Sequence, residues 1–351
     1  MTSMSPILQS QPLGPLWPTM DPFLFCAHHD DAYPPSDGRL GVQAVEFEGR
    51  QMGSDFSRKD GFSMYHGAGV PGFPGHPHRG FETVTLVRKG LIDHCDSLGA
   101  AARFGGGDVQ WLTAGQGIQH SEMFPLLRSD APNPLELFQI WLNLPARSKM
   151  VAPHFTMLWN ERIPRLAHVD GAGRKTVVTV VAGALPGAAA PLPAPPESWA
   201  SQPEGDVAIW TLHLEPGARW RLPRAAGQDT QRMLYFFAGQ TLQIGPAAQR
   251  QHAALHVDAT QDWELHNSGS DAVECLVLQG RPIGESVVQY GPFVMNTQQE
   301  IMQALQDYRR TQFGGWPWGV QDPVHGPENR RFARYPGADA DEQPPQPLAP
   351  A

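Results

Sequence analysis

Cysteine is scarce in this chain: three residues, Cys26, Cys95 and Cys275, among 351. An odd number at such separations suits neither a disulfide framework nor a thiolate zinc site, so all three are expected to be reduced and structural. Basic charge is also short. Lysine and arginine number 26 against 35 aspartates and glutamates, a net charge of −9, and no basic run or stripe is present to neutralise phosphates, which argues against direct nucleic-acid binding. No stretch reaches the roughly eighteen apolar residues of a membrane span. The opening MTSMSPILQSQPLGPLWPTM lacks the basic start and apolar core of a secretory leader, so no membrane association is expected and the protein is placed in the cytoplasm. Phosphate-binding glycine loops, dinucleotide fingerprints and serine nucleophile elbows are missing too.

Helical periodicity is rare, whereas turn formers are abundant: 36 glycines and 35 prolines. Between them recur short runs rich in valine, threonine, leucine and aromatics, such as FETVTLVRKGLIDHCD, LFQIWLNLP, KTVVTVVAG, AIWTLHLEPG, RMLYFFAGQTLQIG and VECLVLQG. Evenly spaced strands of this kind predict an all-β sandwich or barrel, and the length allows two. The pattern breaks near Pro164 and Gly171. The expected organisation is a flexible N-terminus over 1–19, a first domain over 20–163, a second over 164–330 and a disordered tail over 331–351. The alanine- and proline-rich stretch 185–205 reads as an inserted loop. One helix is predicted over 297–311, within the second domain: Thr297 and Glu300 form a capping box, and Ile301, Ala304, Leu305 and Tyr308 share a face. Its expected role is structural closure.

Chemistry concentrates in HPHRGFETV, residues 76–84, and GIQHSEMFP, residues 117–125. In a strand, residues two apart point to the same side, so His76 pairs with His78 and His120 with Glu122. Two such strands facing each other inside a barrel would bring four ligands to one point. Glu82 shares the parity of His76 and His78, and is expected to face the interior and orient a ligand by hydrogen bonding, with direct ligation as the alternative. Three imidazoles and a carboxylate suit iron, manganese, nickel, copper or zinc alike. Four protein ligands on a six-coordinate ion leave two positions open, which favours a reactive site over a closed structural one. By contrast, His28-His29-Asp30-Asp31 reads as a proline-bounded solvated or structural loop, and His94 and Cys95 as packing residues. His252, His256 and His266 form no comparable pairs, so the second barrel is expected to be metal-free.

HPHRGFETV, HCDSLG, GGGDVQWLTAGQGIQHSE, FQIWLNLP and GPFVMNT occur in an order that resembles the pirin family of bicupins, from MDPFLF near residue 20 to the helix ending near residue 311. The resemblance implies two cupin-type, double-stranded β-helix (jelly-roll) barrels in one chain with a C-terminal helix. It implies a mononuclear Fe(2+) in the first barrel, on His76, His78, His120 and Glu122. For some members it implies a quercetin 2,3-dioxygenase-like activity, whose partners are a small aromatic substrate and dioxygen and in which Glu122 accepts the substrate's hydroxyl proton. For others it implies a non-catalytic, metal-dependent regulator that binds a transcription factor or metabolic enzyme. A monomer is expected. The segment between MDPFLF and GFPGHPHRG is longer than the family pattern, and loops at a barrel mouth govern what enters.

Overall fold

The computed structural model of the chain describes residues 5–346, which fall into two compact units. One unit comprises His28–Ile140, Ala146–Glu161 and the chain from Glu285 onward; the other comprises the chain up to Ala27, Trp141–Pro145 and Arg162–Gly284. Both are β-structures. The strands used below are β1 (Ile7–Pro12), β2 (Phe23–Tyr33), β3 (Gly72–His78), β4 (Phe81–Lys89), β5 (Leu91–Asp96), β6 (Ala101–Gly105), β7 (Val109–Thr113), β8 (Ile118–Met123), β9 (Asn133–Asn143) and β10 (His154–Leu158). The one α-helix among the described residues, α1, spans Gln298–Thr311.

In the first unit two five-stranded sheets form. Their orders are β10-β7-β4-β9-β2, and Phe332–Arg334 followed by β6-β5-β8-β3. Both contribute to one core: Val87, Leu112 and Leu135 from the first sheet meet Ile92, Phe104 and Ile118 from the second. Strand β4 is rich in β-branched residues, and its burial from Phe81 to Val87 is unbroken. A strand covered on both faces needs such continuous apolar or hydrogen-bonded residues, because either side removes it from water.

In the other unit a seven-stranded sheet begins with β1 beside Ala253–Val257, and a four-stranded sheet includes Arg219–Leu222 and Trp263–Asn267. Trp210, Leu212, Leu234, Phe236, Leu255 and Leu265 are among the residues that fill its interior. His252 Nε2 lies 3.0 Å from the Gly239 carbonyl and His266 Nδ1 lies 2.8 Å from Gln243 Oε1.

Three local expectations are corrected. Residues 1–19 were expected to be flexible, but Ile7–Pro12 pairs antiparallel with Ala253–Val257. This edge strand is held by its main-chain ladder while most of its side chains face solvent, so its polar composition reads as a loop. The tail expected to be disordered from residue 331 contains the strand Phe332–Arg334, paired with β6, and Ala333 bridges Glu342; its last part, 347–351, lies outside the described residues. The helix belongs to the first unit, not to the second barrel. Its capping box is present as expected: Thr297 Oγ1 accepts from the Glu300 N–H at 3.2 Å, and Glu300 Oε2 accepts from the Thr297 N–H at 2.8 Å. No helix among the described residues is long and apolar enough to cross a membrane.

Candidate metal centre

Strands β3 and β8 lie side by side, antiparallel, in one sheet, rather than on opposing walls of the barrel as the spacing alone implied. Cross-strand partners share a face, and His76 stands opposite His120 while Phe73 stands opposite Glu122. Three positions on β3 therefore match two on β8, and the resulting bulge carries Phe73 to the face that holds His76. The strands approach so closely at Gly72 that a side chain there would begin 2.4 Å from the Glu122 carbonyl oxygen, and its φ of +131° is itself a glycine conformation. On the other side of β8, strand β5 sets His94 opposite Glu122 and Asp96 opposite His120.

The outcome is a compact cluster. One ring nitrogen each from His76, His78 and His120 lie within 4.8 Å of one another. Their ring centroids are 4.5 Å apart for His76 and His120, and 4.8 Å for each of the other two pairs. Glu122 of β8 lies beside this three-histidine group, its Oε2 3.9 Å from His120 Nε2. His78, His120 and Glu122 are buried and His76 is half-buried, which makes His76 the most accessible of the four.

Each candidate ligand is held in a defined state. His76 Nδ1 lies 2.9 Å from the Pro74 carbonyl oxygen, so that nitrogen carries the proton and the Nε2 lone pair is presented. Burial lowers the His76 pKa to about 4. Burial, reinforced by the neighbouring imidazoles, pushes His78 and His120 well below the usual histidine range. The rings are therefore neutral near pH 7, the state in which imidazole ligates. Burial pushes Glu122 in the opposite direction, upward, offset in part by His94, Thr85 and Gln139. Gln139 Nε2 donates to Glu122 Oε2 at 2.9 Å. The Thr85 hydroxyl lies 2.9 Å from Glu122 Oε1 and 2.6 Å from Gln139 Oε1, and with one proton it donates to one of them at a time.

Helix α1 braces the ends of the ligand strands. Arg79, next to His78, donates to Asp307 of α1 at 2.9 Å and to the Gln116 carbonyl at 2.6 Å, with its guanidinium over the Phe313 ring. Tyr308 of α1 donates to Gln119 of β8 at 3.0 Å.

The cluster has the signature of a metal site. Among the described residues, neither ring nitrogen of the fully buried His120 has a hydrogen-bond partner. A buried polar atom left so is costly unless something coordinates it. Three neutral imidazoles and a carboxylate, with no thiolate, fit a divalent ion of the first transition row.

Glu82 lies on β4, buried, and accepts from Thr113 Oγ1 at 2.7 Å; it stands at opposite parity to Thr85, which reaches Glu122. His28 and His29 are in strand β2, not in a loop. His28 Nε2 is 3.2 Å from Glu136 Oε1, and His29 Nδ1 is 2.7 Å from the Tyr65 hydroxyl. His94, read as a packing residue, has Nε2 3.3 Å from Asp96 Oδ2 and its ring 5.5 Å from that of His120. Sequence reasoning missed Thr85, Gln139 and Phe73. Thr85 and Gln139 belong to strands that cross the site from the other sheet, and Phe73 is brought in by a bulge that spacing does not reveal.

Two cupin barrels in one chain, with a histidine cluster inside one, define a bicupin. This chain belongs to the pirin family: the Pirin family model matches residues 14–142 and the Pirin C-terminal cupin domain model matches residues 209–314. A pirin-like protein of Solanum lycopersicum is 35% identical over 279 residues, covering 78% of this chain and 86% of that protein. The pirin of Homo sapiens is 33% identical over 258 residues, covering 72% and 81%. The crystal structure of a quercetin 2,3-dioxygenase from Acinetobacter baumannii superposes with a TM-score of 0.65 at 25% identity, over 88% of this chain and 96% of that one. The three-imidazole cluster lies within the part of the chain matched by the Pirin family model and could hold a metal ion.

Proposed function

We propose that this protein is an iron-dependent dioxygenase that opens flavonols such as quercetin. The observation that carries the reading is the set of His76, His78 and His120 with Glu122 beside them, His76 being half-buried, in a barrel whose fold matches that of a quercetin 2,3-dioxygenase. The four residues would hold Fe(2+); manganese, nickel, copper and zinc share the same ligand preferences. When bound, the metal supplies Lewis acidity and redox chemistry toward a hydroxyketone chelate and dioxygen.

The protein's own part is orientation, exclusion of water and proton transfer. The β3–β8 register fixes the imidazoles on one face. Gln139 and Thr85 fix the plane of the Glu122 carboxylate, which accepts the enolic hydroxyl proton of the flavonol and leaves an electron-rich anion to react with dioxygen. Sheet residues bury three of the four ligands, so the anion is held away from bulk water.

Aerobic incubation of iron-loaded protein with quercetin, following loss of its visible absorption, tests the reading. Turnover that disappears in Glu122→Ala is the expected result. Bleaching no faster than in that variant would end it.

A further inference from the structure

Rings flank His76, the least buried member of the cluster. The β3 bulge puts Phe73 on the ligand face, and its ring centroid lies 6.3 Å from that of His76. Tyr65 stacks on Phe73 at 5.1 Å with an interplanar angle of 29°. Phe56 meets Tyr65 edge-on at 5.5 Å and is itself 56% exposed. A chain of ring contacts thus runs from exposed Phe56 through buried Tyr65 and half-buried Phe73 to half-buried His76.

Tyr65 is held in place at some cost. Its φ is +56°, a left-handed conformation that bulky residues avoid, and such strain persists only where the surroundings enforce it. Here they do: reciprocal main-chain hydrogen bonds of 2.8 Å tie Tyr65 to Asp55. The Tyr65 hydroxyl donates to Asp31 Oδ2 at 2.7 Å and takes a hydrogen bond from His29 Nδ1 at 2.7 Å. Asp31 is in turn anchored by the Ser63 N–H at 2.9 Å. A ring wanted only to fill space needs neither the strained backbone nor the buried hydrogen-bond chain. Both fix the plane of the Tyr65 ring, and through the stack they fix Phe73.

We propose that Phe73, backed by the buried Tyr65, forms a stacking wall on which the aromatic ring of a planar phenolic substrate lies as it reaches the metal centre past His76, with Phe56 at the mouth. The wall selects flat aryl ligands over aliphatic chelators of equal metal affinity, because only an aryl face gains from offset stacking. This inference rests on the dioxygenase reading for the identity of the aryl ligand. The residues that carry it lie largely in the long segment between MDPFLF and GFPGHPHRG.

The test uses iron-loaded full-length protein under argon, titrated separately with quercetin and with oxalate, a chelator without a ring. Phe73→Leu and Phe56→Leu keep apolar bulk and remove the aromatic face, and exposed Phe56 makes the second variant safe for folding. Quercetin affinity should fall roughly tenfold in Phe73→Leu and about threefold in Phe56→Leu. Oxalate affinity and iron content should stay at the wild-type level. Unchanged quercetin affinity in iron-replete variants would overturn the wall, as would wild-type protein that binds oxalate but no quercetin. A parallel aerobic assay separates the two ideas. Turnover with unaltered KM in both variants removes the wall and leaves the dioxygenase reading, whereas ring-dependent binding without turnover does the reverse.

Discussion

Replacing Thr85 by valine removes one hydroxyl and changes little else, because the two side chains have nearly the same shape and residue 85 sits in a fully buried stretch of β4. That hydroxyl lies 2.9 Å from Glu122 Oε1, on a carboxylate that is 3% exposed and can recruit little water in its place. A hydrogen bond to a charged group contributes about 1.5–3 kcal/mol. Loss of an outer partner of a metal ligand costs roughly 10–100-fold in affinity, which is about 1.4–2.8 kcal/mol at 1.4 kcal/mol per decade. The two routes agree. Because the single Thr85 proton is shared between Glu122 and Gln139, the lower half of the range, about tenfold, is the better estimate. Competition against a coloured chelator gives the dissociation constant of the metal complex, and the melting temperature of metal-free protein controls for packing. A Thr85→Val constant within twofold of wild type, at unchanged metal-free stability, would refute the idea that this hydroxyl positions Glu122.

His120→Leu follows from the two unpartnered nitrogens of a side chain with no exposure: metal-free variant should melt no lower than metal-free wild type, since about 1–3 kcal/mol of unsatisfied polarity is removed, and should gain nothing from added iron. A lower melting point, or a metal-dependent rise like that of wild type, would contradict this. Acid should destabilise the metal-free protein. Burial holds His29 and His76 down to about 4, below the ordinary histidine value of about 6.5, so between these limits the unfolded chain binds more protons than the folded one and stability falls as pH falls. Urea midpoints at pH 7 and pH 5 check the sign, and a midpoint that rises at pH 5 would be against it.

The three-histidine cluster was legible because it depends on the shortest-range rule of a strand, that residues two apart share a side. His76 with His78 and His120 with Glu122 follow from that rule alone. Their placement on adjacent strands of one sheet does not, since pairing partners are a long-range property; nor does the bulge that turns Phe73 toward His76. Thr85 and Gln139 gave no signal because threonine and glutamine in strands are common and their partner is 37 or 17 residues away. The helix was visible from Thr297 and Glu300, whose capping is local, but its attachment through Asp307 to Arg79 and Tyr308 to Gln119 spans roughly 190–230 positions. Edge strands such as Ile7–Pro12 hide for a different reason. Their main chain does the binding, so solvent-facing side chains are free to look like a loop.

The most direct test of the central claim is the metal content of the purified chain beside that of a His76→Ala, His120→Ala variant. The account predicts one iron per wild-type chain and essentially none in the folded variant. A variant that keeps a full equivalent of metal, or a wild-type protein that takes up none when iron is supplied, would contradict it.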